Sequence, residues 1–252
     1  MDLLFVSVAS LFAGFVDSIV GGGGLILVPA LFATFPAAHP ATLFGTNKGA
    51  SVWGTGFATW RYSRRVQLNW QALWPAAVAG LLASLVGAWL VTVVSPDFLR
   101  KVLPLVLLLV LIYTFFKKEL GHRHSPRFAG VQEQWVSAGI GLGIGFYDGF
   151  FGPGTGSFLV FLFVRLLGYD FLNASAAAKL VNTATNVSAL ALFVGKGHIW
   201  WHFVFVMALA NVLGSWLGTL MALRHGTGFV RAVFLLVVSA LILKTGADAF
   251  LR

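Results

Sequence analysis

Apolar stretches long enough to cross a bilayer follow one another along the whole chain, and no other feature limits its fold so severely. A hydrocarbon core of ~30 Å takes a helix of roughly 17 to 25 residues. Such stretches occupy residues 2–20, 42–60, 71–94, 98–116, 132–151, 173–194, 198–223 and 227–250. Two shorter apolar pieces, 25–36 and 157–168, are too short to span alone. In lipid every backbone polar group must find its partner inside the protein, so spans of this length mean helices. The 252 residues are 58% hydrophobic and 10% charged, which leaves almost nothing for a water-soluble domain. The sequence predicts an all-α, polytopic membrane protein. Its first stretch lacks a basic n-region and a small-residue cleavage site, so it is expected to stay in the fold.

The net charge of +9 and pI of about 10.4 would point to nucleic acid in a soluble chain. Here Arg61, Arg64 and Arg65, then Lys117, Lys118, Arg123 and Arg127, fall in short connections between spans. Cytoplasmic loops of membrane proteins carry this excess, which places loops 61–70 and 117–131 inside and predicts no nucleic-acid partner. Trp70, Trp74, Trp200 and Trp201 open their spans as interfacial anchors. With no cysteine, disulfides, thiolate metal sites and cysteine nucleophiles are all absent.

The chain also repeats itself. GFVDSIVGGGG at Gly14–Gly24 returns as GFYDGFFGPGTGS at Gly145–Ser157, an offset of 148 − 17 = 131 residues. Under that offset Lys48 falls on Lys179, Ser84 on Ser215, Gly87 on Gly218, Phe98 on Phe229, Arg100 on Arg231 and Thr114 on Thr245. The expected plan is a first transmembrane repeat at 1–120, a polar cytoplasmic linker at 121–130 and a second repeat at 131–252, each with about four membrane segments. If residues 25–36 continued the first span, that helix would hold roughly 34 residues and run about 51 Å, too long for the bilayer. A broken, re-entrant first segment in each half is expected instead. It leaves three full crossings per half, an odd number, which favours inverted repeats; counting basic residues on each side does not separate that arrangement from a parallel one.

Ionisable side chains inside a span are functional-site candidates, and Asp17, Lys48, Asp148 and Lys179 form two such acid and base sets, one in each half. Gly14, Asp17 and Gly21 share one helix face, as do Gly145, Asp148 and Gly152. The runs Gly21–Gly24 and Gly152–Gly156 break their helices, Pro153 also removing a donor. A broken backbone survives in hydrocarbon only where protein buries it or where it lines a wet cavity. Half-helices starting near Leu25 and Ser157 would turn free N–H groups and positive dipole ends toward an anion. The next spans add a polar face, Lys48, Ser51 and Thr55 beside Asn47 in one half and Lys179, Asn182 and Asn186 in the other.

Together these residues predict a donor-rich, positive pocket for a small anion. Its expected lining is Gly22, Gly23, Gly24, Asn47, Lys48, Ser51, Gly154, Thr155, Gly156, Ser157, Lys179, Asn182 and Asn186, with Asp17 and Asp148 as proton carriers or ion-pair partners. The plainer reading is that Asp17 with Lys48 and Asp148 with Lys179 are buried ion pairs that hold helices in register. The glycine runs argue against it, because packing alone spaces small residues apart. A dinucleotide site is not expected without a strand before the glycines. His122 and His124 lie in the polar linker, and His39, His198, His202 and His225 are scattered near span ends without ligand spacing. No metal and no cofactor are expected, since two buried lysines oppose a cation site. An enzyme is not expected either, for want of a nucleophile or acid–base set at the interface.

GFVDSIVGGGGLILVPAL followed by GTNK at Gly45–Lys48, and GFYDGFFGPGTGS followed by AAAKLVNTATN at Ala176–Asn186 and GKGHIWW at Gly195–Trp201, resemble the sulfite exporter TauE/SafE family over nearly the entire chain. The resemblance implies proton-driven movement of small sulfur-containing anions, sulfite or organosulfonates, across the bacterial inner membrane. The second glycine run, GPGTG, departs from the GGGG of the first, so unequal half-sites are expected. Partners would be the anion, protons and the lipid bilayer. The alternative is a passive anion channel or a permease for another small organic anion.

Overall fold

Every described regular element is a helix, and the glycine runs fall between helices as the backbone chemistry requires. The computed structural model describes residues 1–102, 105 and 124–250, with the side chains of 231 and 234–250 left aside. Most of the span expected at 98–116, with Lys117, Lys118, His122 and Arg123, lies outside those residues.

The order is α1 (Asp2–Val20), α2 (Gly24–Thr34), α3 (Pro40–Ser63), α4 (Trp70–Val93), α5 (Gly130–Phe150), α6 (Thr155–Leu162), α7 (Phe171–Gly195) and α8 (Trp201–Phe250). A π-type turn, Phe163–Leu167, extends α6, and α8 is interrupted at Gly226, where φ is 69°. Four helices, α1, α4, α7 and the Trp201–Val230 part of α8, are long and apolar enough to cross a membrane. With α3 and α5, which match them in length, they make a multi-pass membrane bundle. Side-chain caps set three starts: His39 accepts from the Ala41 N–H at α3, Asn69 from Ala72 at α4 and Asp170 from Asn173 at α7.

The first helix breaks at Gly21, held at φ 80°, and the chain turns back. Gly23 packs against the Ala13 carbonyl, ten residues earlier, and Leu27 and Leu31 of α2 join Val6 and Ala13 of α1 in one apolar cluster. In the second half α5 ends at Phe150 and Gly152, at φ 84°, opens the turn into α6. Both short apolar pieces are therefore separate helices that follow a break.

Contacts give the helix directions. Gly49 meets Val204 and Gly54 meets Asn211, so α3 and α8 run parallel. Gly14 meets Asn211 and Gly218 meets Phe15 and Ser18, so α1 runs with them. Gly45 lies against Phe193, Lys48 bonds Asn186 and Thr59 bonds Thr183, so α3 and α7 are antiparallel. Gly145 meets Gly80 and Gly149 meets Ser84, so α4 and α5 are parallel to each other. Asn69, just before α4, and Tyr169, just before α7, both donate to Glu133 in the first turn of α5. Helices α4, α5 and α7 therefore leave the same end of the bundle and run together, with Ser84 and Ser188 bonding the Thr185 and Leu81 carbonyls between α4 and α7. Helices α1, α3 and α8 thus point one way, and α4, α5 and α7 the other.

The same contacts recur at the 131-residue offset. Gly14 against Asn211 matches Gly145 against Gly80, and Gly218 against Phe15 matches Gly87 against Phe146. The Ser84 hydroxyl donates to the Thr185 carbonyl at 2.9 Å and Ser215 to the Gly54 carbonyl at 2.7 Å. Loops 64–69 and 124–129 lie at one end of the bundle, tied by Asn69 to Glu133. Of the four tryptophans expected as anchors, Trp70, Trp74 and Trp201 are exposed, whereas the Trp200 ring packs edge-on against Phe35. The Trp200 backbone N–H also donates to the Thr46 hydroxyl.

A Cβ on Gly145 would sit 2.4 Å from the Gly80 carbonyl oxygen, whereas Gly139 on the same helix meets nothing within 4 Å. Gly145→Val is expected to destabilise the bundle by about 1–3 kcal/mol or more through overpacking and Gly139→Ala to leave it nearly unchanged, as thermal melting of the detergent-solubilised protein would report.

Candidate functional site

The two glycine breaks pass each other at the centre of the bundle, and the site is built around that crossing. Gly21 lies against Gly156 and Gly24 against Pro153, so the two segments run antiparallel in close backbone contact. A Cβ on Gly21 would fall 2.2 Å from the Gly156 carbonyl carbon, and Gly21 also needs its positive φ; only glycine meets both demands. The crossing satisfies backbone that neither helix can satisfy alone. Ser157 gives its N–H to the Gly21 carbonyl at 3.0 Å and its hydroxyl to the Val20 carbonyl at 3.1 Å. Ser175 gives its hydroxyl to the Ile19 carbonyl at 2.8 Å.

Around the crossing lies a cavity of about 20 Å³ lined by Asp17, Gly23, Gly24, Asn47, Lys48, Ser51, Asp148, Thr155, Gly156, Asn182 and Asn186. Eleven of the fifteen residues expected at the site therefore share one buried wall. Gly22, Gly154, Ser157 and Lys179 do not line it. Gly154 holds the start of α6 at φ 83°, Gly22 accepts from the Leu25 N–H, and Ser157 spends its donors on the other break. Three further groups named in the sequence reading, Gly21, Gly152 and Thr55, border the cavity, as do Ala13 and Asn211. Asn211 was missed. It sits in an apolar span, and under the 131-residue offset its counterpart is Gly80, so a search for paired polar positions passes over it.

The ion pairs cross between the halves. Lys48 Nζ lies 2.6 Å from Asp148 Oδ2, and Lys179 Nζ lies 3.0 Å from Asp17 Oδ2. The pairing expected within each half, Asp17 with Lys48 and Asp148 with Lys179, is overturned. The reason is geometric: the passing breaks carry each aspartate to the lysine helix of the other half. Lys48, Asp148 and Lys179 are buried and Asp17 is half-buried, with its side chain 15% exposed.

The expected positive pocket is corrected as well. Two lysines against two aspartates sum to zero, and the lysines are held by carboxylates. Nor are all the half-helix N–H groups free, since those of Leu25, Ile26, Thr155 and Ser157 already have carbonyl partners.

The two pairs differ in detail. Asp17 Oδ2 accepts both from Lys179 and from the Thr55 hydroxyl, the latter at 3.3 Å. Asp148 Oδ2 has its ion-pair contact with Lys48 and no hydrogen bond among the described residues. Lys48 instead donates to Asn186 Oδ1 at 2.8 Å. Asn47 Oδ1, also in the wall, is buried without a partner among the described residues. A neutral, donor- and acceptor-rich cavity beside two buried ion pairs is suited to a small polar ion.

The histidines outside the spans are not scattered. His39, the cap of α3, stacks on His198 with ring centroids 5.1 Å apart, and Thr42 bonds His198 at 3.2 Å. Burial, with His39 and Lys196 nearby, holds the His198 imidazole below its usual pKa. At the opposite end His124 lies 3.7 Å from Asp170. The Tyr169 hydroxyl donates to Glu133, and burial together with Glu133 pushes the phenol up.

The family model for sulfite exporter TauE/SafE matches residues 6–245. The chain is 37% identical over 249 residues to the "Probable membrane transporter protein ORF9" of a Sinorhizobium species, covering 98% of this chain and 93% of that one. It is 36% identical over 250 residues to the "Probable membrane transporter protein YfcA" of Escherichia coli strain K12, covering 98% and 89%. A "Probable membrane transporter protein" of Haemophilus influenzae is 34% identical over 227 residues, covering 89% and 87%. No solved structure matches.

Crossed pairing gives a direct test in a double-mutant cycle. Lys48→Gln or Asp148→Asn alone is expected to cost about 3–5 kcal/mol, the penalty of an uncompensated buried charge. The double variant Lys48→Gln/Asp148→Asn should recover about 0.5–3 kcal/mol of it, whereas Lys48→Gln/Asp17→Asn should recover none, read from denaturation in detergent.

Proposed function

The chain belongs to the sulfite exporter TauE/SafE family, and from that membership we propose a secondary active transporter of small sulfur-containing anions, sulfite or organosulfonates, in the bacterial inner membrane. The single observation that carries the reading is the buried polar cavity between two crossing helix breaks, walled by Lys48, Asp148, Asp17 and four asparagines from both halves. Buried charge in a membrane bundle is expensive and points to an ion path. Discontinuous helices at the interface of two repeats are where secondary transporters bind substrate.

The repeats in this reading are inverted. Support comes from the directions of corresponding helices: α1, α3 and α8 point opposite to α5, α7 and α4, so each helix of the first half runs against its counterpart at the 131-residue offset. Inverted repeats allow two mirror-like conformations of similar energy, one open to each side. Alternating access is the working cycle. A cavity of about 20 Å³ has room for about one water, so an anion enters only when the two breaks separate, and a continuous pore is not favoured.

Loops 61–70 and 117–131 are assigned to the cytoplasm. Arg61, Arg64, Arg65, Arg127 and Arg165 at that end of the bundle supply the basic excess expected inside. Lys48 supplies charge to the anion, Asn47, Asn182, Asn186, Ser51 and Thr155 supply hydrogen bonds, and Lys179 acts through Asp17. The energy source is the proton gradient, with an aspartate as the proton carrier.

Purified protein in proteoliposomes is expected to take up radiolabelled sulfite or an alkanesulfonate saturably, and to accumulate it when a pH gradient is imposed. Flux that never exceeds equilibrium would make it a passive channel. Unchanged flux in both Lys48→Ala and Lys179→Ala would sink the anion-site assignment.

A further inference from the structure

The two lysine–aspartate pairs occupy equivalent positions in the repeat, yet they are not built alike. Lys179 is fully buried, does not line the cavity and holds Asp17 from behind. Asp17 has a second donor, the Thr55 hydroxyl, and keeps some contact with the cavity. Lys48 and Asp148 both line the cavity. Asp148 is 2% exposed, and among the described residues its ion-pair partner is Lys48, with no hydrogen-bond donor on Oδ2. The difference traces to one pair of positions. Thr55 of α3 donates to Asp17, whereas its counterpart in the repeat, Asn186 of α7, presents its oxygen to Lys48 and gives Asp148 nothing.

Charge then limits what the cavity can accept. The site is neutral when empty of anion, so a monoanion entering alone would leave one uncompensated negative charge in a dry interior, an expensive state. Lys48 is the cavity-facing cation, already tethered to Asn186 Oδ1, and can exchange Asp148 for the anion. Asp148 is then left without a cation or a hydrogen-bond donor, and a proton restores neutrality. The groups facing Asp148 are Lys48 on α3, Asp17 on α1 across the cavity with Lys179 behind it, and Tyr147 on its own helix, whose hydroxyl is committed to the Pro153 carbonyl. The sides toward α4 and α8 present Gly87, Ala88 and Asn211, which do not titrate.

We propose that Lys48 and Asp148 form the working pair, in which the anion replaces Asp148 at Lys48 and Asp148 takes one proton from the loading side, while Lys179 and Asp17 form a fixed strut that stays ionised through the cycle. The proton binds a carboxylate oxygen of Asp148 and leaves to the other side when the anion departs and Lys48 returns. Anion and proton thus move together, one for one, and the step is electroneutral. This inference rests on the transport reading above and assigns the coupling within it.

The test uses the full chain in proteoliposomes loaded with a pH-sensitive dye, with methanesulfonate as the probe, because a sulfonate stays ionised and cannot carry the proton itself. Wild-type protein is expected to move one proton per sulfonate, with no dependence on membrane potential. Asp148→Asn should abolish dye-detected proton movement and sulfonate accumulation while sulfonate exchange persists at a reduced rate. Lys48→Gln should lower exchange as well, by about thirtyfold or more, the usual loss when one partner of a buried charge contact is truncated. Asp17→Asn protein should melt at lower temperature, yet its remaining flux should stay proton-coupled.

Two milder variants keep the test sharp if Asp148→Asn does not fold. Asp148→Glu should retain coupling. Asn186→Thr, which hands Asp148 the hydroxyl that Thr55 gives Asp17, should move the pH of half-maximal uptake toward acid. Proton coupling that survives in Asp148→Asn, or coupling lost equally in the Asp17 and Asp148 variants, would overturn the division of roles and leave the transport reading standing. Wild-type protein that moves neither sulfite nor any sulfonate would overturn the transport reading itself, and this assignment with it.

Discussion

Backbone that is broken inside an apolar bundle has to find its hydrogen-bond partners within the protein, and most of this structure follows from how that is done. Each half contains one break, and the first is completed by groups of the second half. The Ser157 N–H and hydroxyl reach the last carbonyls of α1, and Ser175 reaches the carbonyl beside them. That capping brings the two segments into contact through their backbones, where neither Gly21 nor Gly156 has room for a side chain. Contact at that point in turn brings Asp17 to α7 and Asp148 to α3. The crossed ion pairs are a consequence of the crossed backbone rather than a separate design.

The surrounding helices meet the same requirement by close packing. Where α1 meets α8 and α4 meets α5, glycines face main-chain atoms, as Gly214 faces Leu11 and Gly149 faces Ser84. Small residues of this kind replace the hydrophobic drive that lipid removes. Serine hydroxyls on the same helices, Ser84 and Ser215, bind carbonyls of α7 and α3 and tie the outer pairs to the two lysine helices. Polar side chains thus serve two ends here. Some knit helix to helix, and others are left facing the cavity.

Much of this was legible in the sequence. The spans, the two short helices after the breaks and the gathering of Asp17, Asp148, Lys48 and the asparagines at one wall follow from apolar length, glycine runs and the 131-residue offset. The family follows from the paired motifs. What the sequence did not reveal depends on contacts between halves. Helical periodicity places Lys48 on a face of its own helix but says nothing of which carboxylate faces it. The offset that exposes Asp17 and Asp148 hides Asn211, because its counterpart is Gly80. The donor count of the half-helix ends was misjudged for the same reason, since one of those donors is taken by a carbonyl 136 residues away along the chain (157 − 21). His39 and His198 looked scattered because stacking across two loops leaves no spacing to read.

Crossed pairing also bears on how the chain is assembled. Each half supplies one lysine and one aspartate to the crossed pairs, but neither pair closes within it. A half inserted in the wrong orientation, or left without its companion, would hold a bare ammonium, a bare carboxylate and an uncapped helix end in hydrocarbon. The correctly oriented pair of halves removes all three faults at once. The same four residues that form the crossed pairs thus make the stability of each half depend on the correct threading of the other.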